Sequence, residues 1–349
     1  MVAGLFLFLL LCLALASPAR AQGEASGLSI KVIGGLAGLS QFTRHERPFW
    51  QQRIGTLTQG RVSAEIEPFD RSGIRASEML HLMRLGVVPF GTILLSVAEP
   101  DDPELNGADL AVLSPDMQRL RANAAAFRPR LARTLAQRYD IEVLALYAYP
   151  AQVTFCTRPF TGLNGLAGRR IRVSSVGQSD VVTALGAVPV ITPFAETAAA
   201  LRSGHVECAI TAAMSGNAIG LHEVTTHLHT MAFSWGLSAF GVHRPTWNAL
   251  PADIRTTIAA GVAELEREIW ADAEEETEQG ILCNAGRPGC RTGRPGRMQI
   301  VPGTDADEQR RQALLREVVL PGWLDRCGPG CVEAWNDRLA RTNGMPPRP

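Results

Sequence analysis

The sequence predicts an α/β chain built as two lobes, and three observations lead there. Short strand-like runs alternate with helical runs from Ser29 to Thr211, the pattern of parallel sheets connected by helices. The chain has 349 residues, more than one hydrophobic core usually organises. Late in the chain, Leu228–Val242 reads as extended and is expected to cross from one lobe to the other.

The elements follow in order. Ser29–Ile33 reads as a strand ending at Gly34-Gly35, and Thr43–Thr58 as a helix that turns Phe49 and Trp50 inward. Arg61–Phe69 alternates, with Val62, Ala64 and Ile66 on one face, as a half-buried strand does. Ala76–Leu85 is expected to be a helix stopped by Gly86. Thr92–Val97 reads as a buried strand, Pro115–Tyr139 as a long helix, and Glu142–Tyr149 and Val153–Arg158 as strands. After the loop 162–168 come strand Arg170–Ser174, helix Gln178–Leu185, strand Val188–Ile191, helix Ala195–Ser203 and strand Val206–Thr211. Ala252–Glu278 is a long Glu-rich amphipathic helix. The repeated Gly-Arg-Pro-Gly at 286–289 and 293–296 is loop by composition, its arginines solvated, and Pro346–Pro349 is expected to be disordered.

Residues 1–21 are expected to be an export signal. The apolar run Val2–Ala16 is followed by Ala19-Arg20-Ala21, a small-x-small cleavage pattern, and at about 15 residues it falls short of the ~20 a spanning helix needs. The expected location is therefore periplasmic, with cleavage near Ala21. Lys and Arg together number 34, as do Asp and Glu, so net charge offers no electrostatic case for nucleic acid or an anionic membrane. Outside the leader stand six cysteines, Cys156, Cys208, Cys283, Cys290, Cys327 and Cys331, an even number that suggests disulfides in an exported chain. Local pairing joins Cys283 with Cys290 and Cys327 with Cys331, leaving Cys156 and Cys208 for each other if their strands are neighbours. A zinc site from the last four is the competing reading, although their spacing is not that of zinc knuckles.

Signals for catalysis are weak. His222-Glu223 with His227 has its second histidine one residue too far for a zinc-protease helix, and there is no G-x-S-x-G elbow. No metal or cofactor is implied. The sharper feature is Arg172, delivered by a Gly-rich turn to the end of a short strand, where open α/β sheets bind ligands. Its guanidinium fork fits a carboxylate. On residue type alone, Arg170 and Arg172 can equally pair with Glu196 or Glu207.

The stretch Gly165-Leu166-Ala167-Gly168-Arg169-Arg170-Ile171-Arg172-Val173 resembles a block of the DctP-type solute-binding proteins of TRAP transporters. Further blocks follow in family order: Ala184–Val190, Glu196–Glu207 and Trp247–Pro251, with Thr58–Val62 near the start, so the similarity covers most of 28–280. The resemblance implies a two-lobe, periplasmic-binding-protein-like fold with crossing strands and a long helix spanning both lobes. Lobe I is then 28–150, with part of 233–280 returning to it, lobe II is 151–232, and the spanning helix is 251–280. Residues 281–349, a Cys-rich extension with no counterpart in the resemblance, are expected to pack on the lobes.

The resemblance also implies a function by binding, without catalysis. A small organic acid would enter the interlobe cleft, its carboxylate would meet Arg172, and TRAP membrane subunits would receive it from a monomeric receptor. Gln152 stands where relatives often carry a second basic or polar group, and Thr211 where they often have Asn. Trp235 is a candidate pocket wall, and Phe194 and Thr92 are candidates from loop position. Arg75, where the family often has Gly, is positioned to supply a charge from the other lobe. The neutral Gln152 favours a monocarboxylate over a dicarboxylate or a sialic-acid-like sugar acid. The rival readings are an exported hydrolase and a ligand sensor for a signalling receptor.

Overall fold

The computed structural model describes residues 27–348; the expected leader and its cleavage site lie outside them. Its strands are β1 Leu28–Gly34, β2 Val62–Pro68, β3 Phe90–Leu94, β4 Ile141–Tyr147, β5 Gln152–Cys156, β6 Arg170–Val173, β7 Val188–Ile191, β8 Cys208–Ala212, β9 His227–Ser234, β10 Ser238–His243 and β11 Gln299–Val301. They form two sheets, ordered β2-β1-β3-β10-β4 and β11-β9-β5-β8-β6-β7. The two-lobe α/β architecture read from the sequence is the one observed, but neither sheet is purely parallel: β10 runs antiparallel to β3 and β4, and β5 to β8 and β9, because these are the strands that follow the crossings.

The extended segment near 228–242 divides as the sequence implied. β9 pairs with β5 in the six-stranded sheet, and β10 pairs with β3 and β4 in the five-stranded one. Residues 235–237 are therefore one crossing between the lobes, and residues 148–151, between β4 and β5, are the other. At this junction the carboxyl ends of β1–β4 in one sheet meet those of β6–β9 in the other, where ligands of open α/β sheets gather.

Burial follows the sequence pattern. In the first lobe Trp50 packs against Phe49, Phe90 and Phe240, and the inward face of the long helix, Ile254, Ile258, Val262, Leu265 and Ile269, closes the core. The helix runs Ala252–Asn284. Its later turns pass from the first lobe, across the crossing, to the second. Trp270 Nε1 donates to the Leu146 carbonyl (2.7 Å), Thr277 Oγ1 accepts from Ala151 N (3.1 Å), and Asn284 Nδ2 donates to Ala213 O (2.8 Å). Gly280 makes that contact possible, because a Cβ there would sit 2.4 Å from Met214 N.

Three disulfides form. Cys156–Cys208 staples directly opposed residues of β5 and β8, Cys283–Cys290 ties the end of the long helix to the Gly/Pro loop, and Cys327–Cys331 links the end of one helix to the first turn of the next. With the last four cysteines so engaged, the zinc reading falls. Beyond 298 the chain adds β11 to the edge of β9. It then lays helices Asp305–Leu314, Leu320–Cys327 and Pro329–Ala334 across both lobes, burying Trp323 and Trp335 completely.

Two expectations need correction. The strand at 92–97 is really 90–94; Leu95–Ala98 turns helical, so that Leu95 N reaches the Leu237 carbonyl at the crossing. The tail is not disordered through 348, because Arg348 N donates to Asn336 Oδ1 (2.7 Å) and Asn336 Nδ2 to Arg348 O (2.9 Å). No helix among the described residues is long and apolar enough to cross a membrane.

Gly280→Ala places a methyl against backbone that cannot yield as a side-chain end can, and overpacking of this kind costs about 1–3 kcal/mol. Chemical denaturation should show a loss of that size. Gly303→Ala, which meets nothing within 4 Å, should leave stability nearly unchanged.

Candidate functional site

β6 is short because Gly168, in the left-handed region at φ 74°, turns the chain sharply into it. Arg172 lies in β6 opposite Val190 of β7 and Ala209 of β8. The residue is only 3% exposed. Its Nε donates to the Thr192 carbonyl (2.9 Å) and its Nη1 to the Ile210 carbonyl (2.8 Å). Among the described residues no carboxylate lies within ion-pair distance of it. The neighbouring Arg170, by contrast, takes the Glu207 carboxylate at 3.9 Å, and Arg158 pairs with the same group. The sequence left the two arginines equivalent; the sheet separates them. Burial pushes the Arg172 guanidinium down to about 10, so it stays charged at neutral pH.

Just past the end of β6, where Ser174 stands two residues after Arg172, is a neutral polar cluster. Gln178 Nε2 donates both to Gln152 Oε1 and to Ser234 Oγ (2.8 Å each), while Gln178 Oε1 accepts from Ser174 N (2.9 Å). Gln152 begins β5, paired with Ala212 and with Ser234 at the ends of β8 and β9, so the cluster collects strand ends at the interlobe junction. Ser174, Gln178 and Ser234 escaped the sequence reading. Ser175 caps the helix Val176–Ala184 by accepting from Gln178 N, and that capping pattern is the only sequence signal that would have found Gln178.

The remaining candidates scatter. Thr211 is buried in β8 opposite Val153, and Phe194 is half-buried just beyond β7. Trp235 is buried, with Nε1 donating to Ser114 O (2.9 Å). Arg75 is 80% exposed and engaged with Glu78, so nothing in its geometry supports a charge supplied to the cleft; its role as N-cap to the turn at Ala76–Glu78 accounts for it.

Thr92 instead serves a carboxylate in the first lobe. Its Oγ1 donates to Glu46 Oε1 (3.1 Å), as does Gln41 Nε2 (3.1 Å), and Gly35 N donates to Glu46 Oε2 (2.6 Å). Burial nonetheless pushes Glu46 up to about 7. Nearby, a cavity of about 360 Å³ lies between Ser40–His45, Tyr149-Pro150, Met214-Ser215 and the long helix at Ile269–Glu276. Arg172 does not line it. Its two carboxyls share one guanidinium, Arg44 lying 3.0 Å from Asp272 and 3.9 Å from Glu276. The uncompensated positive charge is at Arg172, and the candidate site is placed there.

Two α/β lobes, joined by two crossings and a shared helix, with a polar site at the strand ends between them, define a receptor that encloses a solute. The chain belongs to the bacterial extracellular solute-binding proteins of family 7, the DctP family, whose model matches residues 40–288. It is thus an extracytoplasmic solute receptor and not an enzyme. It is 24% identical over 226 residues to the C4-dicarboxylate-binding periplasmic protein DctP of Rhodobacter capsulatus, 64% of this chain and 68% of that one. Its fold is similar to that of DctP7 from Bordetella pertussis, an extracytoplasmic solute receptor binding pyroglutamic acid (TM-score 0.79, 20% identity, 89% of this chain and 99% of that one). It is also similar to a TRAP solute-binding protein from Rhodoferax ferrireducens with bound malonate (TM-score 0.77, 20% identity, 90% and 98%). These coverages reach past the family match into the C-terminal extension, which therefore shares the common architecture.

The buried carboxyls set a pH dependence. Glu46 and Glu276 are raised by burial to about 7, and Asp109 to about 6. Each keeps its proton where the unfolded chain has lost it, so the stability it contributes is fully present below the unfolded value near 4 and is lost as pH rises through the folded value. His222 and His229, lowered by burial, act oppositely as pH falls below about 6.5. The melting temperature should therefore rise between pH 8 and pH 6.5, and Glu46→Gln should flatten that rise in a calorimetric pH series.

Proposed function

We propose that this receptor captures a small organic acid by its carboxylate on Arg172 and delivers it to the membrane subunits of a TRAP importer, working as a monomer after cleavage near Ala21. The single observation that carries the reading is the buried guanidinium with no acidic partner among the described residues. A buried charge is costly unless paired, and a solute carboxylate supplies the missing partner through the two-pronged geometry that Arg favours. Relatives support the ligand class, since the names of those compared carry C4-dicarboxylate, pyroglutamate and malonate.

The surroundings narrow the acid. Gln152, Gln178, Ser174 and Ser234 offer hydrogen bonds without a second positive charge. A second carboxylate brought into this cluster would lose its hydration without gaining a counter-ion. A monocarboxylate with amide, keto or hydroxyl groups, of which pyroglutamate is an example, suits it better. Thr211 and Phe194, at or beyond the ends of β8 and β7, would complete the walls.

Thermal-shift screening of mono- and dicarboxylates tests this directly, because a ligand at 100-fold excess over Kd adds about 2.7 kcal/mol of stability. A monocarboxylate should raise the melting temperature. Arg172→Ala should abolish that shift, since breaking a buried charge pair costs roughly 2–5 kcal/mol, and Arg172→Lys should weaken it, because a point charge cannot replace the fork. Circular dichroism should show both variants folded. Unchanged affinity in both would remove Arg172 from the site.

A further inference from the structure

The cavity beside the long helix holds a charge arrangement that the Arg172 site does not use. Asp272 and Glu276 lie on one face of the helix Ala252–Asn284 and both line the cavity. Arg44, half-exposed, lies 3.0 Å from Asp272 but reaches Glu276 only at 3.9 Å. His45 Nε2 is also directed to Asp272, at 2.9 Å. Glu276 is 7% exposed and has no nearer cation than Arg44 among the described residues. Burial pushes its carboxyl up to about 7; the Ser40 hydroxyl, Arg44 and His45 pull the other way, and Asp272 adds to the rise.

A second observation marks the same cavity. Gln41 lines it and is 4% exposed. Its Nε2 is committed to Glu46 (3.1 Å), and the Oε1 left over has no hydrogen-bond partner among the described residues. A buried acceptor left empty costs about 1–3 kcal/mol, which a donor supplied by a ligand would recover.

The cavity lies between the crossing at 148–151 and the long helix, and Leu39, Met214 and Ile269 give it an apolar wall. Its volume of about 360 Å³ is at the small end of the ~300–1,000 Å³ of small-molecule sites. Excess negative charge, an unfilled acceptor and an apolar wall are the complement of an amphiphilic cation that donates hydrogen bonds. A metal ion fits less well, since no three His, Cys, Asp or Glu side chains among the described residues are grouped to hold one.

We propose that this cavity is a second ligand site, separate from Arg172, which takes a short-chain primary amine as its ammonium ion. Glu276 is the counter-ion, Gln41 Oε1 accepts a further N–H, and the alkyl chain rests on Leu39, Met214 and Ile269. The site goes beyond the carboxylate reading and does not depend on it.

Isothermal titration calorimetry of the full receptor with n-butylammonium chloride tests this at pH 8, where Glu276 is largely ionised. The wild type should bind one equivalent saturably, and sodium chloride at matched ionic strength should give no such isotherm. Glu276→Gln, which keeps the shape and removes the charge, should weaken binding roughly tenfold or more. Ala218→Phe, at an exposed position on the cavity wall, should weaken it by obstruction while circular dichroism shows a native fold. Arg172→Ala should leave amine binding unchanged, and Glu276→Gln should leave the carboxylate-induced thermal shift unchanged, so either site can fail without the other. The proposal is overturned by a wild type that does not bind the amine saturably, or by a sodium isotherm that matches it. Undiminished binding by Glu276→Gln or Ala218→Phe, or loss of binding in Arg172→Ala, would overturn it as well.

Discussion

An uncompensated buried charge is the constraint around which this molecule is organised. Removing a guanidinium from water costs several kcal/mol even after the protein relaxes. The structure answers with two backbone carbonyls, Thr192 and Ile210, from the strands on either side of β6. They fix the orientation of Arg172 and lower its cost of burial without neutralising it. A salt bridge to a protein carboxylate would have stabilised the chain better and left nothing for a solute. Glu207, close in space, is instead occupied by Arg158 and Arg170.

The lobe that carries this charge is joined to the other by two compact crossings. The crossing at 235–237 is held by the buried Asp109 carboxylate, which accepts from Trp235 N (3.1 Å), Gly236 N (2.6 Å) and Leu237 N (3.1 Å). Trp235 adds its indole bond to Ser114. This indole is thus explained by the crossing it secures. Close by, Gly236 adopts φ 87°, and a Cβ there would be 3.0 Å from Gln152 Nε2. The backbone of one crossing and a side chain at the foot of the other therefore fit together only because residue 236 has no side chain. Domain closure by a hinge requires such compact crossings, since a bulky or loosely held connection would spread the motion over many residues.

Much of the architecture was legible because it depends on local chemistry. Period-two and helical patterning marked the strands and helices, Gly86 and Gly168 marked stops and turns, and even cysteines at short spacing announced two of the disulfides. The errors came where a distant partner overrides local preference. Leu95–Val97 looks like strand by composition, yet the crossing at Leu237 draws Leu95 into a helical turn. The proline-rich tail looks disordered, yet Asn336 clasps Arg348 from both sides. Arg75 looked available because a charge in sequence carries no record of its neighbour Glu78.

What the sequence by itself determined is the class of the molecule: alternating strands and helices, a crossing segment and an ordered set of family blocks around Arg172. What only the tertiary structure decided is which arginine is free and what surrounds it. Arg170 and Arg172 share a strand face and a chemistry, and differ only in what the neighbouring strands bring to them. Gln178 and Ser234 are unremarkable in sequence for the same reason: their partners lie 26 and 56 residues away. Pairing across such separations is set by the packing of two sheets and by the cost of burying charge, and neither is written in a local pattern.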